Sequence, residues 1–64
     1  MKKQYIIIQQ LDGKTLYFCE NVAPIFTVKR GYAERYNSVK TAQERANYAE
    51  LFAQPGGKII IIEL

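Results

Sequence analysis

Two isoleucine runs constrain this chain more than any other feature: Ile6-Ile7-Ile8 follows Tyr5, and Ile59-Ile60-Ile61-Ile62 lies between Lys58 and Glu63. Consecutive β-branched residues favour extended backbone, where neighbouring side chains point to opposite faces. Tyr5 and Ile7 therefore share one face and Ile6 and Ile8 the other, and Ile59 and Ile61 likewise oppose Ile60 and Ile62. A sheet built from such strands is apolar on both sides, so both sides need a cover.

The remaining elements follow from local signals. Leu16-Tyr17-Phe18-Cys19 is a second apolar run, rich in aromatic residues, separated from the first by Leu11-Asp12-Gly13-Lys14. Asp-Gly between apolar runs favours a tight hairpin, because a type I′ turn needs positive φ at both central residues. Strands are expected at about residues 3–10 and 15–20. Pro24 interrupts any continuing ladder, and Ile25-Phe26-Thr27-Val28-Lys29 resumes an extended pattern as a third strand ended by Gly31. Tyr32-Ala33-Glu34-Arg35-Tyr36 suits an irregular or single-turn connection.

Ser38 is a candidate N-cap, and Ala42, Ala46, Ala49 and Ala53 recur at helical spacing, so a helix is expected over residues 39–53. Its small residues let it lie close against a sheet. Gln54-Pro55-Gly56-Gly57 stops it, and Lys58 to Glu63 forms the last strand. The order is β-β-(β)-α-β. These elements make one α+β domain over residues 1–64: a small three- to four-stranded, mainly antiparallel sheet with one helix packed on one face. The helix covers one face, so the other is left for the 21–36 segment or for a second copy of the chain in a homodimer.

Composition limits what can hold this domain together. With 64 residues there is room for one core, and such a chain buries only about 60% of its unfolded surface. Cys19 is the single cysteine and there is no histidine, so neither an intramolecular disulfide nor the usual zinc ligand sets can be assembled. A lone thiol fits a reducing cytoplasm. Tyr5 to Ile8 is bounded by Gln4 and Gln9-Gln10, far short of a signal-peptide apolar region or a membrane span. A soluble protein with no membrane partner is expected.

The chemistry of the chain is mostly negative. Without histidine the commonest general base is missing, and Cys19 has no imidazole to activate it; its position on the face shared with Tyr17 suits a small buried hydrophobe. Glu44 and Glu50 are six apart, hence on different faces of a helix, so they do not form a carboxylate pair. Gly56-Gly57-Lys58 lacks the first glycine and the following helix of a phosphate loop and reads as a turn. No catalytic residue, no cofactor site and no metal site is expected.

Nine Lys and Arg against six Asp and Glu give a formal charge of +3, spread along the chain as a solvated surface would be. One stretch gathers basic and aromatic groups: Lys29, Arg30, Tyr32, Arg35 and Tyr36. Arg30-Gly31-Tyr32-Ala33 matches the opening of the RNP1 pattern, which then fails at Glu34-Arg35. Basic groups for phosphate beside rings for stacking are the ingredients of nucleic-acid contact, and packing of the tyrosines under the helix is the competing reading.

Tyr5-Ile6-Ile7, Asp12-Gly13-Lys14-Thr15-Leu16, Phe26-Thr27 and Ala33-x-x-Tyr36-x-Ser38-x-x-x-Ala42 together resemble small uncharacterised proteins of Gram-positive bacteria and their phages. The chain departs from that pattern at Thr15, where an aromatic is usual, and at Lys40-Thr41, where paired acids are usual. The resemblance implies the same small fold and a phage-related accessory role, and it carries over no catalytic residue. The expected function is that of a non-enzymatic protein-interaction module acting on an unknown protein partner, the alternative being weak nucleic-acid binding through segment 29–36.

Overall fold

The computed structural model describes residues 3–20 and 25–64. Strands β1 (Tyr5–Leu11), β2 (Lys14–Cys19), β3 (Ile25–Thr27) and β4 (Lys58–Glu63) form one sheet in the order β3-β2-β1-β4, every neighbouring pair antiparallel. Helix α1 (Val39–Ala49) crosses between β3 and β4 and packs on one face. The α+β architecture is the one the residue pattern implies, and the third strand is present, though only three residues long. The interruption expected at Pro24 lies outside the described residues.

Local chemistry explains most of the turns. Asp12 and Gly13 both have positive φ, 49° and 77°, and close the Leu11–Lys14 pair with the hairpin geometry that Asp-Gly favours. Ser38 is extended and its hydroxyl accepts from the Thr41 amide at 3.1 Å, which caps α1. The helix ends earlier than its alanine spacing suggests. After Ala49 the chain tightens into a 3-10 turn, Glu50–Phe52, and Ala53 is already extended. Pro55 disfavours helical backbone at Gln54, so the last turn has no room to continue. Gln54-Pro55-Gly56-Gly57 then reverses the chain as a proline-glycine turn, with φ of 85° at Gly56 and the Gly57 amide donating to the Gln54 carbonyl at 3.3 Å.

The core lies between α1 and the face carrying Ile7 and Phe18. Ala42, Ala46 and Ala49 meet Ile7, Phe18 and Tyr36, and Tyr5, Phe26, Tyr48, Ile59 and Ile61 pack around them. Rings fill what the alanines leave open: Phe18 lies 5.2 Å from Phe26 and 6.5 Å from Phe52, and Tyr48 meets Phe52 edge-on at 5.1 Å. None of the described helices is long and apolar enough to cross a membrane.

The opposite face is covered in part by the chain itself. β1 and β2 pair only from Ile8–Tyr17 to Leu11–Lys14, and beyond that they part. Residues 34–36 fill the fork: the Glu34 amide donates to the Phe18 carbonyl at 3.0 Å, and Tyr5 and Tyr36 exchange two backbone bonds at 2.8 and 2.9 Å. To reach this fork from β3, the chain passes over β2 on the face away from α1, where Ala33, Arg30 and Arg35 border Ile6. Ile6, Ile8 and Cys19 are buried on that face, whereas Ile25 and Ile62 stay exposed.

Candidate functional site

The gathered basic and aromatic residues lie on this crossing segment, and its backbone decides which of them reach solvent. Past β3 the Lys29 amide donates to Thr27 Oγ1 at 3.3 Å, and a single 3-10 turn, Arg30–Tyr32, follows. Its bonds are Tyr32 to the Lys29 carbonyl and Ala33 to the Arg30 carbonyl, both at 3.1 Å. The chain then extends into the fork, where side chains alternate. Arg35 points outward, donating to Gln4 Oε1 at 3.2 Å, and Tyr36 points inward.

Four of the five residues thus share one exposed surface. Lys29, Arg30 and Arg35 are exposed, and Tyr32 is 59% exposed. Lys29 Nζ sits 5.5 Å from the centre of the Tyr32 ring, a cation–π contact that presents ring and charge together. Among the described residues the ion pairs are Lys3 with Glu63 at 3.7 Å and Arg45 with Glu20, so no described carboxylate neutralises the three cations of this surface.

Tyr36 is separated from the others. At 7% exposure it belongs to the core, and its hydroxyl donates to Glu20 Oε2. Arg45, from α1, donates to both Glu20 oxygens, Nε to Oε2 at 3.2 Å and the terminal nitrogen to Oε1, while its guanidinium stacks 4.5 Å from the Tyr48 ring. The Arg45 hydrogen bond holds the Glu20 carboxyl below its ordinary range, against burial, which acts to raise it; the Tyr36 hydroxyl adds to the lowering. Burial first, and then the bond to Glu20, push the Tyr36 phenol well above its usual value, so it stays a hydrogen-bond donor. Arg45 is held more firmly protonated, chiefly by the same carboxylate.

This polar cluster ties the end of β2, the fork segment and α1 into one unit, and the residue pattern does not single it out. A signal exists: Glu20 continues the Leu16, Phe18 alternation onto the helix face, and Arg45 flanks the alanine stripe. A second polar junction lies at the far end of α1. Gln9 is fully buried on the helix face of β1; its amide nitrogen donates to the Gln54 carbonyl at 2.7 Å and its oxygen accepts from the Gln54 amide at 3.1 Å.

Among the described residues no group of three or more His, Cys, Asp or Glu side chains is placed to hold a metal ion. Cys19 is buried on the face opposite the helix. Its thiol is expected to react with an aromatic disulfide reagent only as fast as the domain opens, at least roughly 100-fold more slowly than in urea. Labelling at the denatured rate in native buffer would contradict that burial.

The fold and this surface define a class: a small antiparallel sheet with one helix on one face and a basic–aromatic crossover on the other. Compared with family models, curated proteins and solved structures, the chain matches none of the three.

Proposed function

We propose that this chain is a non-catalytic interaction module of the reducing cytoplasm, an accessory protein of the kind its Gram-positive and phage resemblance implies, and that it grips a protein partner through the crossing segment. One observation carries the reading: among the described residues, Arg30, Arg35 and Lys29 stand without carboxylate partners on the same segment as exposed Tyr32, and that segment is anchored at both ends by backbone bonds. Arg and Tyr at the centre of a rigid patch are the residue types that dominate binding energy at protein interfaces. A preformed segment also loses little conformational entropy on docking.

The second reading, weak binding of single-stranded nucleic acid, uses the same cations for phosphate and Tyr32 for stacking. Burial of Tyr36 leaves it one ring instead of two. Salt and nuclease separate the readings. Three phosphate contacts give a log–log salt slope of about −2, whereas a contact centred on the Tyr32 ring tolerates salt.

The test is retention of partners on the immobilised protein, with and without nuclease, for wild type, Tyr32→Ala and the double variant Arg30→Ala/Arg35→Ala. All three are expected to keep the native circular dichroism spectrum, because the altered side chains are exposed. A nuclease-resistant protein partner lost in both variants supports the module. Retention abolished by nuclease transfers the surface to the nucleic-acid reading, and partners kept by both variants place the site elsewhere.

A further inference from the structure

The two edges of the sheet are unlike. β3 offers three residues, but β4 offers six, Lys58-Ile59-Ile60-Ile61-Ile62-Glu63, with no proline, no bulge and charges only at its ends. Long apolar edges of this kind pair with another strand. The direction of each backbone group on β4 follows from its neighbour. Tyr5 spends its amide and carbonyl on Tyr36, and Leu64 donates to the Gln4 carbonyl at 2.8 Å, so even-numbered residues of β4 bond to β1. The amides and carbonyls of Ile59, Ile61 and Glu63 therefore point off the sheet.

We propose that two copies of this chain pair β4 to β4 in antiparallel register about Ile61, joining two four-stranded sheets into one of eight strands and setting the two α1 helices side by side. The register is the one a two-fold axis perpendicular to the sheet allows, since like faces must coincide. Ile61 meets Ile61 of the other copy and Ile59 meets Glu63, using all three outward residues in about six backbone hydrogen bonds. On the opposite face Ile60 meets Ile62, which covers a side chain left 37% exposed in the single chain. No like charges fall opposite each other.

The helix supplies the independent argument. A groove of about 480 Å³ separates α1 from β4, walled by Gln43, Asn47 and Glu50 and floored by Ile59 and Ile61. Lys40 lies one turn before Gln43, so Lys40, Gln43, Asn47 and Glu50 form one stripe on the edge-facing side of the helix. α1 starts at the Tyr36–Tyr5–Glu63 end of the sheet and stops at the Gln54–Gln9–Ile59 end, hence runs antiparallel to β4 with its middle level with Ile61. It packs on both β1 and β4. With strands about 4.8 Å apart, an axis just outside β4 sets the two helices about 10 Å apart, the distance of packed helices.

The same axis places Lys40 against Glu50 of the second copy and Gln43 against Asn47. The stripe is thus complementary to itself in the orientation that the strand register independently requires. This pairing does not involve the basic crossing segment and stands or falls apart from it.

Sedimentation equilibrium between about 1 μM and 1 mM tests the proposal, with a dimer expected in the wild type. Lys40→Glu and Glu50→Lys, each at an exposed site, are expected to raise the dimer dissociation constant roughly tenfold by opposing like charges twice, and the double reversal to restore it. Ile61→Pro removes an amide that serves no bond in the monomer and is expected to abolish the dimer. A wild type monomeric at about 1 mM, a dimer indifferent to both single reversals, a double reversal no better than either single, or an Ile61→Pro chain that folds and still dimerises would each overturn it.

Discussion

Gly57→Ala is expected to lower the thermal midpoint by roughly 10–20 °C, a large loss for a substitution that adds one methyl group. The new Cβ would stand 1.9 Å from Gln9 Nε2 and within 2.6 Å of two further atoms of that side chain. Gln9 has nowhere to retreat, being fully buried with both ends of its amide engaged by Gln54. Relief of the clash requires breaking those two bonds, which leaves a polar group buried without partners, or moving β4 away from β1. Either costs about 2–3 kcal/mol.

A double-mutant cycle separates this account from a general loss of backbone freedom. Gln9→Ala alone gives up the two bonds at a cost of about 1–2 kcal/mol but empties the space that a methyl group at position 57 needs. The double variant Gln9→Ala/Gly57→Ala should therefore be no less stable than Gln9→Ala by more than a few tenths of a kcal/mol. Urea denaturation of the four proteins reads the coupling directly. If the two losses simply add, the Gln9 side chain is not what excludes a larger residue at position 57.

The elements that the residue pattern locates well are those whose cause is local. Asp12-Gly13 turns because those two residues tolerate positive φ, Ser38 caps because its hydroxyl reaches an amide three residues on, and Lys58 to Glu63 is extended because four β-branched residues leave little else. The alanine spacing overshoots the helix end, carrying it to Ala53 where the α-helix stops at Ala49, because Ala53 keeps the apolar period while Pro55 withdraws helical backbone two residues later.

What the pattern does not show is non-local. The tyrosines at 32 and 36 suit a helical turn and a short strand equally; residues 34–36 are extended because β1 and β2 part and leave the Tyr5 and Phe18 backbone groups to be satisfied. That insertion fixes the alternation which turns Arg35 out and Tyr36 in. Proximity in sequence groups Tyr36 with Tyr32 and the nearby cations, whereas the fork assigns one tyrosine to the surface and the other to the core. The Gln9–Gln54 pair, 45 residues apart, and the Glu20–Arg45 pair, 25 apart, are likewise visible only once the sheet order is known.

The Glu20 cluster makes stability depend on pH in a stated direction. In the folded chain the Glu20 carboxyl titrates below its ordinary value near 4.5, which is the value expected of it when unfolded. Its contribution is therefore fully present above about pH 5 and is lost as pH falls through the depressed folded value, because only the ionised form accepts from Arg45 and Tyr36 together. Glu20→Ala is expected to cost about 2–3 kcal/mol at neutral pH, through the groups it leaves behind. The Tyr36 hydroxyl, inside the core, loses its acceptor, while Arg45, 39% exposed along its side chain, recovers part of its loss through water. Tyr36→Phe removes one bond to a charged acceptor and should cost about 1.5–2 kcal/mol, leaving the Glu20–Arg45 contact in place. The variants differ most in acid. Wild type and Tyr36→Phe should both lose stability as pH falls below about 5, and Glu20→Ala should show a shallower slope there, so the curves converge as pH falls. Thermal melts at half-unit intervals across that range decide it: parallel curves for wild type and Glu20→Ala would mean that this carboxylate is not the group whose protonation loosens the fold.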